Sequence, residues 1–328
     1  MLTWPHAHSD WLPWLAEVEP VFVAIAHAVA EREQLIITAY DAAHLTHIST
    51  LLQRAGIDLD RVHLYIAPSD DTWVRDHGPI TVTKNGAPLL LDFVFNGWGD
   101  KFDAALDNDL TRTLHAQSAF GATPLRSIDF VLEGGSIEVD GAGSLLTTER
   151  CLLSPQRNPA LNRAAIETRL REWLGIDRVL WLTHGYLAGD DTDSHIDTLA
   201  RFCSPDTICY IACDDADDEH YTELKAMEQE LQALRSAAGA AYRLVPLPWP
   251  QAKYGDDGAR LPASYANFLI INGAVLAPTY DDAADSTALA CLQTCFPDRT
   301  IIGIPCLPLI RQYGSLHCVT LQLPAAVL

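Results

Sequence analysis

Positive charge is scarce in this 328-residue chain, where 22 Lys and Arg stand against 43 Asp and Glu for a formal net charge of −21. That balance excludes a phosphate-backbone partner and favours small cations. Close cysteine pairs are also missing. The eight cysteines at 151, 203, 209, 213, 291, 295, 306 and 318 form no C-x-x-C metal pattern, and a chain of this length needs no disulfide staples. Reduced thiols and a cytoplasmic location are the expectation. Met1 to Trp14 has neither a basic nor an apolar leader region, and the apolar run Val21 to Val29 is broken by His27 and ends at Glu31-Arg32-Glu33. Neither secretion nor a membrane partner is expected. Low-complexity linkers are absent too, which favours one domain over 1–328.

What is present is regular. Val18 to Glu33 and Ala42 to Ala55 carry apolar residues at helical spacing, each followed by a short apolar strand, Leu35 to Thr38 and Val62 to Ile66. Beyond residue 70, five segments share one form, a polar or glycine-marked turn running into an alternating strand. They begin at Asp76, Glu133, His195, Asn267 and Gly314, with helical stretches Asn158 to Trp173, Tyr221 to Ala238 and Asp285 to Cys295 between them. Strands and helices alternating at such a period predict an α/β fold with radial repetition about one axis. Pro246 to Pro250 and Tyr254 to Arg260 are expected as surface loops. His44 and His47 are expected on a solvated helix face, and the acidic runs Asp214 to Asp218 and Asp281-Asp282 lack the alternation and central glycine of a calcium loop.

Radial repetition would bring the polar groups at the turns to a common centre: Asp76, Glu133, His195 with Asp197, and Cys318. On a strand, His195 and Asp197 would share a face. A thiol, a histidine and a carboxylate supply a nucleophile, a proton shuttle and an orienter. Further carboxylates suit a planar cation, because a guanidinium offers forked donors that carboxylates accept in pairs. Each residue also has a plainer use. Cys318 could be a small core hydrophobe at the start of a strand, Asp76 a helix cap or the partner of Arg75, and Glu133 a turn residue before Gly134-Gly135. The remaining seven cysteines are expected to be buried and inert.

The motifs Asp71-Thr-Trp-Val-Arg-Asp-His-Gly-Pro79, Phe95-Asn-Gly-Trp-Gly-Asp-Lys101, Glu133-Gly-Gly-Ser-Ile137, Thr147 to Pro159, His195-Ile-Asp-Thr-Leu-Ala-Arg-Phe202, Tyr265-Ala-Asn-Phe268 and His317-Cys-Val-Thr320 span nearly the whole chain. Together they resemble the agmatine deiminase and bacterial peptidyl-arginine deiminase family of guanidine-modifying enzymes. The resemblance implies a five-bladed, pseudo-symmetric α/β propeller of the pentein type. It implies hydrolysis of agmatine to N-carbamoylputrescine and ammonia, with citrulline formation in peptides as the alternative. Cys318 then corresponds to the nucleophile, His195 to the general acid and base, and Asp76 and Asp197 to the carboxylates holding the guanidinium. Glu133 sits beside the histidine. Trp73 and Trp98 either wall the substrate channel or belong to the core. No metal or organic cofactor is required, and a homodimer is implied.

The chain departs from the family in three places. It starts almost at Trp4-Pro5, so that one blade lacks a strand or the start is assigned late. Tyr313-Gly314-Ser315 replaces a Gly-Gly-Asn before the nucleophile, and Glu138 stands where a histidine is common. A different class also fits part of the pattern. His195-x-Asp197 with His317 has the outline of an iron-binding facial triad, which the helical content opposes. A guanidine-binding protein without turnover is a third reading.

Overall fold

The computed structural model describes residues 1–327. Five three-stranded sheets follow one another along the chain. Four of them repeat one plan. A leading strand pairs antiparallel with the next, a helix crosses over, and the third strand returns parallel to the second. Parallel strands need such a crossover, so each helix follows from the strand order.

The leading strands are Ile80–Lys84, Ile137–Val139, Ala200–Ser204 and Leu269–Ile271. The crossover helices of these sheets are Ala105–Ala116, Arg163–Leu174, Tyr221–Ala233 and Asp285–Cys295. Caps set their ends. Asn162 accepts from the Ala165 amide to start one helix, and Gly175, in the left-handed region at φ 68°, ends it. The remaining sheet pairs Leu2–Thr3, Leu35–Ala39 and Val62–Ile66 all parallel, with Leu15–Ala30 and Ala42–Arg54 as its two crossovers. It has three strands, although the first is only two residues long. The Met1 amine donates to the Leu321 carbonyl oxygen at 2.8 Å, which brings the two ends of the chain together.

Leu15–Ala30 buries Val18, Val21, Phe22 and Ile25 against the sheets. With the turn before it, Leu12–Ala30 is long and apolar enough to cross a membrane by composition, but that face is taken by the core.

Several expected strands differ. The periodicity at His195 and at Gly314 does not mark strands that start there. Residues 196–198 form a 3-10 turn before Ala200–Ser204, and Cys318 lies in a turn where the Val319 amide reaches the Ser315 carbonyl oxygen at 3.3 Å. The run from Asn267 to Leu276 is a hairpin, Leu269–Ile271 against Ala274–Thr279. Arg243–Leu247 takes Pro246 into a strand, and Lys253–Tyr254 pairs with Arg260–Leu261 where loops were expected. Of the seven other cysteines, Cys203, Cys291 and Cys295 are only half-buried.

Candidate active site

The polar turns precede the leading strands, and this repetition assembles the site. Asp76 comes before Ile80–Lys84, Glu133 before Ile137–Val139, Asp197 before Ala200–Ser204 and Asn267 before Leu269–Ile271. Cys318 completes the set from the C-terminal turn. All five side chains are buried, with Asp197, Glu133 and Asn267 at 0% exposure and Cys318 at 6%.

Gly135 marks their meeting point. A Cβ there would lie 2.6 Å from His195 Nδ1, 2.7 Å from Asp76 Oδ1 and 3.2 Å from Asp197 Oδ2, so only glycine lets the three groups converge. Asp76 is neither a cap nor the partner of Arg75. Its Oδ1 accepts from the Gly135 amide at 2.8 Å and its Oδ2 from Trp98 Nε1 at 3.0 Å. Trp98 reaches it because Gly97, Trp98 and Gly99 all take left-handed φ values of 64°, 57° and 92°. His195 Nδ1 stands 3.6 Å from Asp76 Oδ1.

His195 and Asp197 line one cavity, but not from one strand face: residues 196–198 form a 3-10 turn, and no hydrogen bond joins the two side chains among the described residues. Asp197 Oδ2 instead lies 2.8 Å from His317 Nδ1, and Asp197 Oδ1 has no hydrogen-bond partner among the described residues. A buried carboxylate oxygen left in this state is a strong acceptor awaiting a donor. Cys318 Sγ sits 3.4 Å from Asn267 Oδ1 and 3.9 Å from Asp197 Oδ2.

Glu133 lies behind the histidine. Arg157 Nε spans both of its oxygens at 2.8 and 3.0 Å and then reaches Asp193 through Nη1 at 2.7 Å. Asp193 and Ser194 hold left-handed φ values of 66° and 65° immediately before His195, so Arg157 braces the strained loop that aims the ring. Cys151, expected to be inert, has its Sγ 4.0 Å from Glu133 Oε2. Among the described residues, Glu133, Cys151 and His195 form the one group of three with ligand atoms within 4.8 Å. Both Glu133 oxygens are already taken by a guanidinium, which does not suit a metal ion there.

Electrostatics follow from burial. Desolvation and the facing Asp197 charge push Asp76 well above the usual carboxylate range. Desolvation raises Asp197 from 3.8 to about 7, against the pull of Arg201 and Arg75. Burial, then Arg157 and Lys101, hold His195 well below 6.5, so its ring is neutral. Burial, then Asp197 and Asp76, keep Cys318 a thiol. A cation placed between the two aspartates would reverse the last effect and favour the thiolate.

The groups face a cavity of about 330 Å³. Trp73 and Trp98 line it while also packing in the buried core, and Asp10, Asp71 and Asp191 line it as well. Gly314 packs so tightly on Trp73 that a Cβ would come within 2.1 Å of the ring. The Tyr313 turn, at φ 66°, therefore shapes the channel wall. Arg75 points elsewhere, while Arg311 lines this cavity. Glu138 is also accounted for, since it accepts from Arg201 Nε at 2.7 Å and from the Phe202 amide at 3.1 Å. Asn267, Arg157, Cys151 and Asp71 stand within the family-like motifs, whereas Asp10, Asp191 and Arg311 lie outside them.

Comparison with known proteins agrees over the full length. An agmatine deiminase of Stutzerimonas stutzeri is 35% identical across 99% of this chain and 92% of its own. A Porphyromonas gingivalis structure, provisionally named an arginine deiminase, superposes with TM-score 0.93 at 53% identity, covering 99% of this chain and 95% of the other. A cysteine-to-serine C. jejuni agmatine deiminase with substrate bound gives TM-score 0.89 at 38% identity, covering 97% and 91%. Residues 1–324 match the Porphyromonas-type peptidyl-arginine deiminase family, and the chain belongs to it.

Proposed function

We propose that this protein is an agmatine deiminase, and that its five sheets are the blades of a single pseudo-symmetric catalytic domain. The observation that carries the reading is the pair of buried carboxylates, Asp76 and Asp197, that share the cavity with the Cys318 thiol, with Asp197 Oδ1 uncommitted. A guanidinium is the cation whose forked donors match them. Agmatine also carries an ammonium at the far end of a short methylene chain, and Asp10, Asp71 and Asp191 give that end acid to meet.

The chemistry runs in two stages. Guanidinium binding cancels the charge that holds Cys318 protonated, and the thiol proton passes to the neutral ring of His195. The thiolate adds to the guanidinium carbon. His195 returns the proton to the departing nitrogen, and ammonia leaves a thiouronium on Cys318. Water, deprotonated by His195, then adds to the same carbon. The sulfur leaves, and the product is N-carbamoylputrescine. Asp76 and Asp197 keep the carbon in line throughout, while Glu133 and Arg157 support the histidine from behind.

A second reading rests on Arg311. It lines the cavity and, among the described residues, its side chain meets carboxylates at 3.5 Å from Glu17 and Asp256. An arginine there could donate to the carboxylate of a C-terminal arginine, a group agmatine lacks. Ammonia release from agmatine, free arginine and a peptide ending in arginine separates the two. The agmatine reading expects agmatine to have the highest kcat/KM, and no release from agmatine would sink it.

A further inference from the structure

A second cavity, of about 1030 Å³, shares no lining residue with the first. Five of the chain's 22 basic residues, Arg32, Arg61, Arg75, Arg201 and Arg299, line it against two glutamates, Glu33 and Glu138. In an acidic protein this is a local reversal of sign.

Arg75 and Arg201 are buried there, at 9% and 3% exposure. Arg201 is satisfied on one side, with Nε on Glu138 and Nη1 2.8 Å from the Phe268 carbonyl oxygen. Its Nη2 has no partner among the described residues. Arg75 is more exceptional. Its side chain bonds only to the His317 carbonyl oxygen, at 3.4 Å, and the Gln322 amide oxygen, and among the described residues no carboxylate forms an ion pair with it. A buried guanidinium without a counter-ion is costly. Burial and then repulsion from Arg201 lower its pKa to about 10, with Asp197, Asp76 and Glu138 acting the other way without pairing to it.

We propose that this cavity is a binding site for a small oxyanion, phosphate or carboxylate, held by the free guanidinium nitrogens of Arg75 and Arg201. Paired oxygens match two such forks, and the arginines nearer the opening attract the anion inward. The site is separate from the thiol. The Arg75 amide donates to the Cys318 carbonyl oxygen at 3.1 Å and its Nε to that of His317, so the His317-Cys318 backbone forms the wall between the cavities.

The test is calorimetric titration of the full-length protein with inorganic phosphate and, separately, succinate, at constant ionic strength set with sodium chloride. It needs no turnover, so its failure is distinct from failure of the agmatine reading. Saturable binding of either anion to one site is expected, and the anion that binds identifies the oxyanion class. Arg75→Gln should weaken it by at least about tenfold, as loss of a charge-assisted pair requires. Arg75→Lys, which keeps the charge but loses the fork, and Arg61→Gln near the opening should each weaken it less, and they stand in should Arg75→Gln fail to fold. Absence of saturable binding for both anions overturns the proposal. So does unchanged affinity in all three variants, or loss of the anion when Cys318 is alkylated, which would put it in the other cavity.

Discussion

The two cavities are built from neighbouring residues and carry opposite charge. Asp76 and Cys318 face one, while Arg75 and His317, their immediate neighbours in the chain, face the other. A short turn at the head of each sheet accomplishes this, because consecutive side chains leave it on opposite sides. The contrast shows that a net charge of −21 describes the surroundings of only one of the two cavities. One concentrates acid around a thiol, and the other gathers arginines behind it. The cavities are coupled electrostatically, since Arg201 and Arg75 are the charges that lower Asp197.

The largest expected effect removes acid from the front. Asp197→Asn keeps the shape and loses the charge, and should lower kcat/KM for agmatine by about 10²–10³-fold. An activity near wild type would detach Asp197 from substrate binding. On the other side, Glu138→Gln leaves Arg201 beside Arg75 without its carboxylate. Breaking a buried pair from one side should cost about 3 kcal/mol of stability, read from the urea midpoint. An unchanged midpoint would show that the arginines are offset in another way.

The contrast also has a pH signature. Asp197 titrates near 7 in the folded protein against 3.8 in its ordinary state. Because the ionised form holds the guanidinium, kcat/KM should fall as pH drops through about 7. The unfolded chain binds fewer protons at this group between 3.8 and 7, so its contribution to stability declines as pH rises across that window. Thermal melts without and with agmatine over the same range read both signs, and a flat rate profile from pH 5 to 8 would contradict the assignment. The smallest effect concerns Arg311, the one Arg or Lys lining the front cavity among the described residues. Arg311→Gln should move selectivity between free arginine and agmatine only several-fold, roughly what a half-exposed charge supplies, measured as the ratio of kcat/KM values.

The chemistry was legible before the architecture around it. Asp76, Glu133, His195, Asp197 and Cys318 could be gathered because each stood at a polar turn ahead of an apolar alternation, and the sheets that repeat one plan carry such turns at their heads. The same alternation misled at close range. The apolar residues Ile196, Leu199 and Ala200 are buried, as they would be in a strand, but the backbone through Asp197 is a 3-10 turn. This is why Asp197 hydrogen-bonds His317, while His195 reaches the same cavity without a hydrogen bond to Asp197. Asn267 and Arg157 act through tertiary contacts with partners 51 and 24 positions away, and no local pattern announces such pairings. Arg75 showed only its closeness to Asp76. Which cavity it would face depends on a turn whose geometry the composition leaves open.

The most direct test of the central claim is the intact mass of the protein, acid-quenched during turnover of agmatine. The thiouronium route predicts a species heavier by agmatine less ammonia, mapped by peptide digestion to Cys318 and absent from Cys318→Ala, which should release no ammonia. Ammonia release without any adduct on Cys318, or full activity in Cys318→Ala, would contradict it.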